Sequence, residues 1–308
     1  MHVTTTDSLR LTTRQMAEFA AKGYLRLDSV VPEALNQAFL SEIGHTEDVA
    51  SVAEHYDRIM GSSAIPIVPS GTPLAHAYPQ GSALGRIIDL PAVRGAIESL
   101  VGPTSRIDHH FLHITFPPSL TGRALPAQHT HQDSTIDPRR AFDVQLMYFP
   151  HAVTREMGGT RFVPGSHLRI VSEAAIGRYQ NIVGQQHMVC DAGTVLIVHH
   201  GIWHGGGANR SDRLRYMFKI RLCPTQRQCR LWDTSDLDTK SPQKPTFWLG
   251  AQPDPADVHT ILTRPEPWHE ADTGRLEYLN RIHFWRYLTG DETFDADYWA
   301  TRIENEYT

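Results

Sequence analysis

The middle of the chain changes its hydrophobic period, and this change limits the possible folds more than any other feature. From residue 105 onward, β-branched, aromatic and other apolar residues alternate with polar ones, as in strands buried on one face. The strand-like runs are 105–116, 142–149, 187–190, 194–200 and 214–222. Proline- and glycine-rich turns separate them, and no helix-sized segment alternates regularly with the strands. The pattern therefore predicts a mainly β fold with flanking helices, a double-sheet jelly roll.

Helical patterns flank this β core on both sides. Residues 11–22 predict a first helix, with Thr12 or Thr13 as its N-cap and Gly23 at its end, and a short strand follows at 24–27. Further helices are predicted over about 33–43, 84–100, 276–288 and 294–306, and loops over 44–83 and from 224 to about 270. No repeat or linker is evident. We expect one domain over residues 1–308, with its β core at about 105–222.

The charge balance argues against several classes of partner. The net charge is −5 and the sequence contains no basic block, which is the opposite of what phosphate neutralisation requires of a nucleic-acid binder. No apolar run approaches the length that crosses a bilayer, and the first residues do not resemble a signal peptide. Three unevenly spaced cysteines do not suggest a disulfide framework. We expect a cytoplasmic protein that acts on a small molecule, with its oligomeric state left open.

A histidine and an aspartate in the middle of the chain have the spacing of a metal site. His131 and Asp133 are two residues apart, which places two side chains on one face of an extended strand. A third ligand from a distant strand would complete a set of two histidines and one carboxylate. Such a set leaves three coordination positions open and suits non-haem Fe(II). The best third candidate is His204, which follows an apolar strand and precedes three glycines.

Eighteen histidines make chance clusters common, so the alternatives need separate arguments. His109, His110 and His113 fall on one predicted strand. The first and last of them share a face, but at about 3.3 Å per residue they lie too far apart for easy joint ligation. His129, His199 and His200 remain substitute ligands, and each has an ordinary structural interpretation as a packed or surface histidine.

Several motifs together resemble the phytanoyl-CoA dioxygenase family of iron- and 2-oxoglutarate-dependent oxygenases. They are a leading helix with Gly23-Tyr24 at its end, the triplet 131–133 (HQD), the segment 158–167 (GGTRFVPGSH) and the segment 203–212 (WHGGGANRSD), which Arg215 follows. The resemblance covers most of the chain. It implies a double-stranded β-helix with outer helices, in which His131, Asp133 and His204 bind Fe(II).

The resemblance also implies the residues that bind the cosubstrate. Arg215 lies eleven positions after His204, where the family has an arginine that binds the distal carboxylate of 2-oxoglutarate, a task suited to a planar guanidinium. Arg213 shares its strand face, so only the family spacing favours Arg215. Gln128 and Thr160 match positions that hydrogen-bond the cosubstrate in relatives, and a strand-edge amide and a turn hydroxyl are their structural alternatives. Asn209 and Ser211 are expected to fix the turn before Arg215.

The implied reaction consumes O2 and 2-oxoglutarate and yields succinate and CO2, with hydroxylation of a metabolite or natural-product intermediate as the default outcome. Because Asp133 is present, no ligand position is vacated for chloride, which argues against halogenation. Desaturation, cyclisation and epimerisation stay open. Two rival hypotheses are a jelly-roll protein that binds metal or a small ligand without turnover, and metal-assisted hydrolysis, for which no additional general-base motif is found.

The sequence says little about the substrate. Residues 56–83, 134–143 and 232–248 are candidates for the rim of the pocket. Arg139, Arg140 and Arg155 would favour an acidic or phosphorylated compound if they face it, although solvated surface is the ordinary interpretation of each.

Overall fold

The computed structural model describes residues 9–133, 137, 139–169, 171, 173–177, 181–237, 254–270 and 274–296. The helices are α1 Thr13–Lys22, α2 Glu33–Glu42, α3 Val52–Gly61, α4 Ala83–Ile88, α5 Pro91–Val101, α6 Pro118–Thr121, α7 Glu173–Ile176, α8 Val258–Thr263 and α9 Gly274–Thr289, with 3-10 turns at Leu74–His76 and Ser166–Leu168. The strands are β1 Tyr24–Leu27, β2 Thr72–Pro73, β3 Arg106–Thr115, β4 Val144–Phe149, β5 Thr160–Phe162, β6 Gln186–His187, β7 Thr194–His199, β8 His204–Gly206 and β9 Arg215–Cys223.

The strands form two antiparallel sheets. The larger has the order β1-β7-β4-β9-β3-β2 and the smaller has the order β6-β5-β8. Buried side chains of both sheets, including Met147, Leu196 and Phe162, form one apolar cluster that packs the two layers together. Two packed antiparallel sheets with helices outside them confirm the predicted fold class, and the order β1-β7-β4-β9 shows the crossovers of a jelly roll.

The larger sheet has one face toward the helices and one toward the smaller sheet. Along β9, Tyr216, Phe218, Ile220 and Leu222 pack into the main core beneath the helices. The residues between them therefore point to the other layer, because side chains alternate along a strand. This alternation places Arg215 and every second residue after it on the inner face.

A β-bulge shifts the alternation of β3. Ile107 lies opposite Leu222 and His110 lies opposite Ile220, so three steps along β3 match two steps along β9. After the extra residue, the side chains of β3 therefore point to the faces opposite to those that strict alternation from Ile107 would give. From there on, Phe111 lies opposite Lys219 and Thr115 lies opposite Arg215, on the inner face of the sheet.

The first helix follows its sequence signals closely. The side chain of Thr12 caps α1 in a capping box with Gln15, and Gly23 ends the helix with φ +76°. A Cβ on Gly23 would lie 2.4 Å from Nδ1 of His167, so glycine is required here both for its conformation and for space. Helix α1 buries Met16 and Phe19 completely against the core.

Three expectations for the flanks were wrong or incomplete. The loops predicted over 44–83 contain helix α3, which ends before the prolines at 66, 69, 73 and 79 that made the whole segment resemble a loop. The stretch expected to be a loop from 224 to about 270 contains α8. Of the helix predicted over 294–306, residues 294–296 are not helical, and the other residues lie outside the described part of the chain.

The β core also extends beyond the predicted limits of 105–222. Strand β1 pairs with β7 at one edge of the larger sheet, and β2 pairs with β3 at the other edge. Within the residues described, no helix is both long and apolar enough to serve as a membrane span.

Candidate metal centre

A backbone contact brings the two predicted histidine ligands together. The N–H of His131 donates to the carbonyl of His204 (2.9 Å), and the N–H of His204 donates to the carbonyl of His131 (2.8 Å). Gln128 makes a similar contact with Gly206, so residues 128–131 run beside β8. The extended pairing ends at His131, and Asp133 lies in a bend. The strand expected around this triplet is therefore a single β-bridge.

The three predicted ligands form the one group of metal-binding side chains found among the described residues. Ligand atoms of His131, Asp133 and His204 all lie within 4.8 Å of one another. Nε2 of His131 is 3.3 Å from Oδ1 of Asp133, and Nε2 of His204 is 3.6 Å from Oδ2. Ligands at right angles around a metal with bonds of about 2.1 Å lie roughly 3 Å apart, so a slight contraction fits an ion between these atoms.

Both imidazole rings are oriented by backbone carbonyls. Nδ1–H of His131 donates to the carbonyl of His129 (2.9 Å), and Nδ1–H of His204 donates to that of Ile202 (3.0 Å). Each bond leaves Nε2 as the nitrogen available for a metal. This use of the second ring nitrogen is the usual support of metal-binding histidines.

Asp133 is held as a carboxylate by its neighbours. Burial opposes its ionisation, but the hydrogen bond from His131 and the charges of His204 and Lys219 outweigh this and keep its pKa well below the ordinary value. The side-chain amide of Gln145 donates to Oδ2, and Nζ of Lys219 lies 3.4 Å from the same oxygen. An ionised oxygen ligand is what a hard divalent cation requires.

The two histidines differ in their proton affinity. The hydrogen bond to Asp133 raises the pKa of His131, while burial lowers the pKa of His204 to about 4. A metal ligand must present an unprotonated nitrogen. His204 already does so near neutral pH, whereas the contact of Nε2 of His131 with Asp133 favours a proton that a metal would have to replace.

Arg215 is a buried cation on the inner face of β9. It is 8% exposed, and its guanidinium donates to the carbonyl of Met157 (2.9 Å) and to Oγ1 of Thr115 (2.8 Å). None of the ion pairs found among the described residues includes it, and burial lowers its pKa to about 10. Arg213, in contrast, is exposed, so burial distinguishes two arginines that share a predicted strand face. A buried guanidinium without an acidic partner is suited to an anionic ligand.

Gln128 and Thr160 both lie beside β8. Oε1 of Gln128 accepts from the N–H of Gly206, and its side chain is largely exposed. Thr160 is buried on β5, directly opposite Gly206. Both residues therefore lie next to the segment that carries His204, and their contact with a cosubstrate stays a prediction.

The turn before Arg215 is built as expected. The amide of Asn209 donates to the carbonyls of Thr115 (3.2 Å) and Arg213 (2.7 Å), and its oxygen accepts from the N–H and hydroxyl of Ser211. These bonds fix the path of the chain between β8 and β9.

The alternative histidines do not join the group of three. Nδ1 of His109 hydrogen-bonds Asp108, and Nδ1 of His199 accepts from the N–H of Gly201 on the helix side of the sheet. His113 and His200 lie near the centre, since Asp133 affects the pKa of both, and burial lowers both values to about 4, but neither belongs to the group of three.

Sequence reasoning missed Gln145 and Lys219. Gln145 is completely buried on β4, and its amide contacts both Asp133 and Nδ1 of His200. Lys219 shares the inner face of β9 with Arg215. Strand alternation from Arg215 would have identified the face of Lys219, but not its proximity to Asp133.

Comparisons with known proteins agree with the family resemblance. The family model described as phytanoyl-CoA dioxygenase matches residues 19–217, more than half of the chain. Human peroxisomal phytanoyl-CoA dioxygenase is 23% identical over 231 residues, which are 68% of this chain and 68% of that protein. The uncharacterised protein Rv1501 of Mycobacterium tuberculosis is 28% identical over 131 residues, 42% of this chain and 46% of that protein. The chain thus spans less than half of that relative.

Similar solved structures are more distant. HygX from Streptomyces hygroscopicus, with nickel and 2-oxoglutarate bound, is 15% identical with a TM-score of 0.47, over 70% of this chain and 88% of that one. SnoK, a non-haem α-ketoglutarate-dependent carbocyclase from nogalamycin biosynthesis, is 17% identical with a TM-score of 0.48, over 77% of this chain and 94% of that one. The match to the family model confirms the resemblance: the chain belongs to the phytanoyl-CoA dioxygenase family, a family of non-haem iron- and 2-oxoglutarate-dependent oxygenases.

Proposed function

We propose that this protein is an Fe(II)- and 2-oxoglutarate-dependent dioxygenase that hydroxylates a small molecule. The observation that carries the proposal is the convergence of Nε2 of His131, Nε2 of His204 and a carboxylate oxygen of Asp133 within 4.8 Å. The set leaves three coordination positions for other ligands. Together with O2 and 2-oxoglutarate, a ferrous ion bound here would supply the oxidation that yields succinate, CO2 and a hydroxylated product.

The protein's own contribution is to hold ligands, bind the cosubstrate and limit access of water. The carbonyls of His129 and Ile202 keep both rings turned toward the centre. The side-chain amide of Gln145 donates to the ligand carboxylate of Asp133 and orients it. Arg215 binds the distal carboxylate of 2-oxoglutarate, where burial makes a charge-assisted hydrogen bond stronger than it is in water.

Asp133 distinguishes hydroxylation from halogenation. A carboxylate at this position occupies the place that a halide would need, so oxygen transfer is the expected outcome. The alternative of a jelly-roll protein without turnover is weakened by Arg215, which is buried with no acidic partner among the described residues and is therefore suited to an anionic cosubstrate. The single-domain organisation and the cytoplasmic location remain predictions from the sequence.

An anaerobic titration tests the proposal. Fe(II) and 2-oxoglutarate are added to the protein, and the visible charge-transfer band of the chelate is recorded before oxygen is admitted and succinate is measured. We expect the band and succinate with the wild type, and neither with Asp133→Ala. The matched control is Asp48→Ala, which alters an exposed aspartate. A wild-type protein that gives neither band nor succinate would refute the proposal.

A further inference from the structure

Three cations lie on the inner face of β9, and their partners differ. Arg221 is bound by Asp143 (2.6 Å) and Asp108 (3.3 Å). Arg215 is assigned above to the cosubstrate. Lys219, which lies between them, has one ionic contact among the described residues, a distance of 3.4 Å from Nζ to Asp133. The ionic partner of Lys219 is thus Asp133, the carboxylate that would also bind a metal ion.

The cross-strand neighbours of Lys219 are apolar. Its side chain is 13% exposed. Met147 lies directly opposite it on β4, and Phe111 lies opposite it on β3. Side chains paired in this way have Cβ atoms about 5 Å apart. The stem of Lys219 is therefore flanked by Met147 and Phe111, and its Nζ lies beside Asp133.

Phe111 is unusually exposed for a phenylalanine on an inner face. It is 51% exposed, and its ring centroid lies 4.9 Å from that of His109 and 6.0 Å from that of His113. The bulge in β3 turns this row of rings toward the same side as Lys219. The row offers an exposed aromatic ring, that of Phe111, on the same side of the sheet as a positive charge.

The charges of the assembled site leave Lys219 without a counter-charge. The two positive charges of Fe(II) match the two negative charges of 2-oxoglutarate, and Arg215 matches Asp133. The carboxylates of Asp108 and Asp143 are bound to Arg221, and neither forms an ion pair with Lys219 in the described part of the chain. A buried charge is costly without a partner. Among the described residues, the site with Fe(II) and 2-oxoglutarate bound therefore lacks one negative charge.

We propose that Lys219 binds a carboxylate of the substrate and that Phe111 packs against an adjacent ring. The substrate class is then a ring-bearing monocarboxylic acid. A single ammonium with one uncompensated charge favours a carboxylate over a doubly charged phosphate monoester. The inference rests on the proposed function, because the balance of charges assumes that Fe(II) and 2-oxoglutarate are bound.

Binding experiments test this without turnover. The protein is loaded with Zn(II) and 2-oxoglutarate, and a panel of aryl and cycloalkyl carboxylic acids is compared with the matched neutral amides and aryl phosphates by ligand-observed NMR. We expect acids to bind the wild type at least 10-fold more tightly than their amides. Lys219→Met should reduce this preference to less than 2-fold, and Lys219→Arg should retain most of it. Phe111→Ala should weaken acids and amides alike, and Lys22→Met, on the surface of α1, should change nothing.

Several results would overturn the assignment. They are an absence of preference for acids in the wild type, tighter binding of phosphates than of carboxylates, and a preference that survives in Lys219→Met. A 10-fold loss of affinity for metal or for 2-oxoglutarate in Lys219→Met would assign Lys219 to those ligands instead. The chelate band separates the two hypotheses: no band in the wild type refutes the proposed function, whereas a band without preference for acids refutes only this inference.

Discussion

We expect Arg215→Met to weaken 2-oxoglutarate binding by about 100-fold while metal binding persists. Three N–H groups of the guanidinium donate to protein acceptors, the carbonyls of Met157 and Gly207 and the hydroxyl of Thr115, which leaves two for a ligand. Two hydrogen bonds from a charged donor contribute roughly 1.5–3 kcal/mol each. Because methionine also removes a buried charge that costs free energy before the ligand binds, the lower end of that sum, about 3 kcal/mol, is expected.

The assay is an anaerobic titration of the Fe(II)-loaded protein with 2-oxoglutarate, followed by the chelate band. Arg213→Met is the matched control, since it removes the same charge two residues away on an exposed side chain. Thermal unfolding of each variant shows whether the fold persists. Equal affinities for 2-oxoglutarate in the wild type and Arg215→Met would refute the reasoning, and a loss confined to Arg213→Met would assign the role to Arg213.

Three further results are expected. Gln145→Leu removes the amide that donates to the ligand carboxylate and should lower metal affinity about 10- to 100-fold, whereas an unchanged affinity would show that Asp133 needs no such support. Burial lowers the pKa of His167 to about 3, so below about pH 6.5 the unfolded chain binds more protons. The free energy of unfolding should then decrease as the pH falls below about 6.5, by up to about 1.4 kcal/mol per pH unit from this residue. Equal urea midpoints at pH 7 and pH 5 would contradict this expectation. Gly158→Ala should destabilise the protein more than Gly71→Ala, because both have positive φ but only the first Cβ meets a backbone carbonyl, at 2.0 Å; similar melting temperatures would exclude the clash.

The elements that could be predicted from the sequence are those with local signals. The cap at Thr12 and the glycine at Gly23 set the limits of α1 to within two residues of the expectation. Strands β4, β7 and β9 were predicted because each is six or more residues long and strongly apolar or alternating. Strands β5 and β8 have three residues each, too few for any period to appear.

The site was predictable only in part, for a similar reason. Spacing and family motifs identify His131, Asp133, His204 and Arg215, and the structure places the first three together. The hydrogen bond from Gln145 to Asp133 depends on how close β4 and residue 133 lie in space, which the sequence does not indicate. The suitability of Arg215 for an anionic ligand depends on its burial. Strand alternation left Arg215 equivalent to Arg213, and only the family spacing favoured it.

The bulge in β3 gives this strand one position at which it can lose a residue without changing the faces of its side chains. If one residue between Ile107 and His110 were deleted, two steps along β3 would match two steps along β9, so His110 would stay opposite Ile220 and Phe111 opposite Lys219. A deletion after His110 has no bulge to absorb it. Leu112 and Ile114 would then move to the inner face in place of Phe111 and His113, because a one-residue shift moves each side chain of a strand to the opposite face. A gene that loses one codon therefore keeps or exchanges this wall of the site according to the side of His110 on which the codon lies.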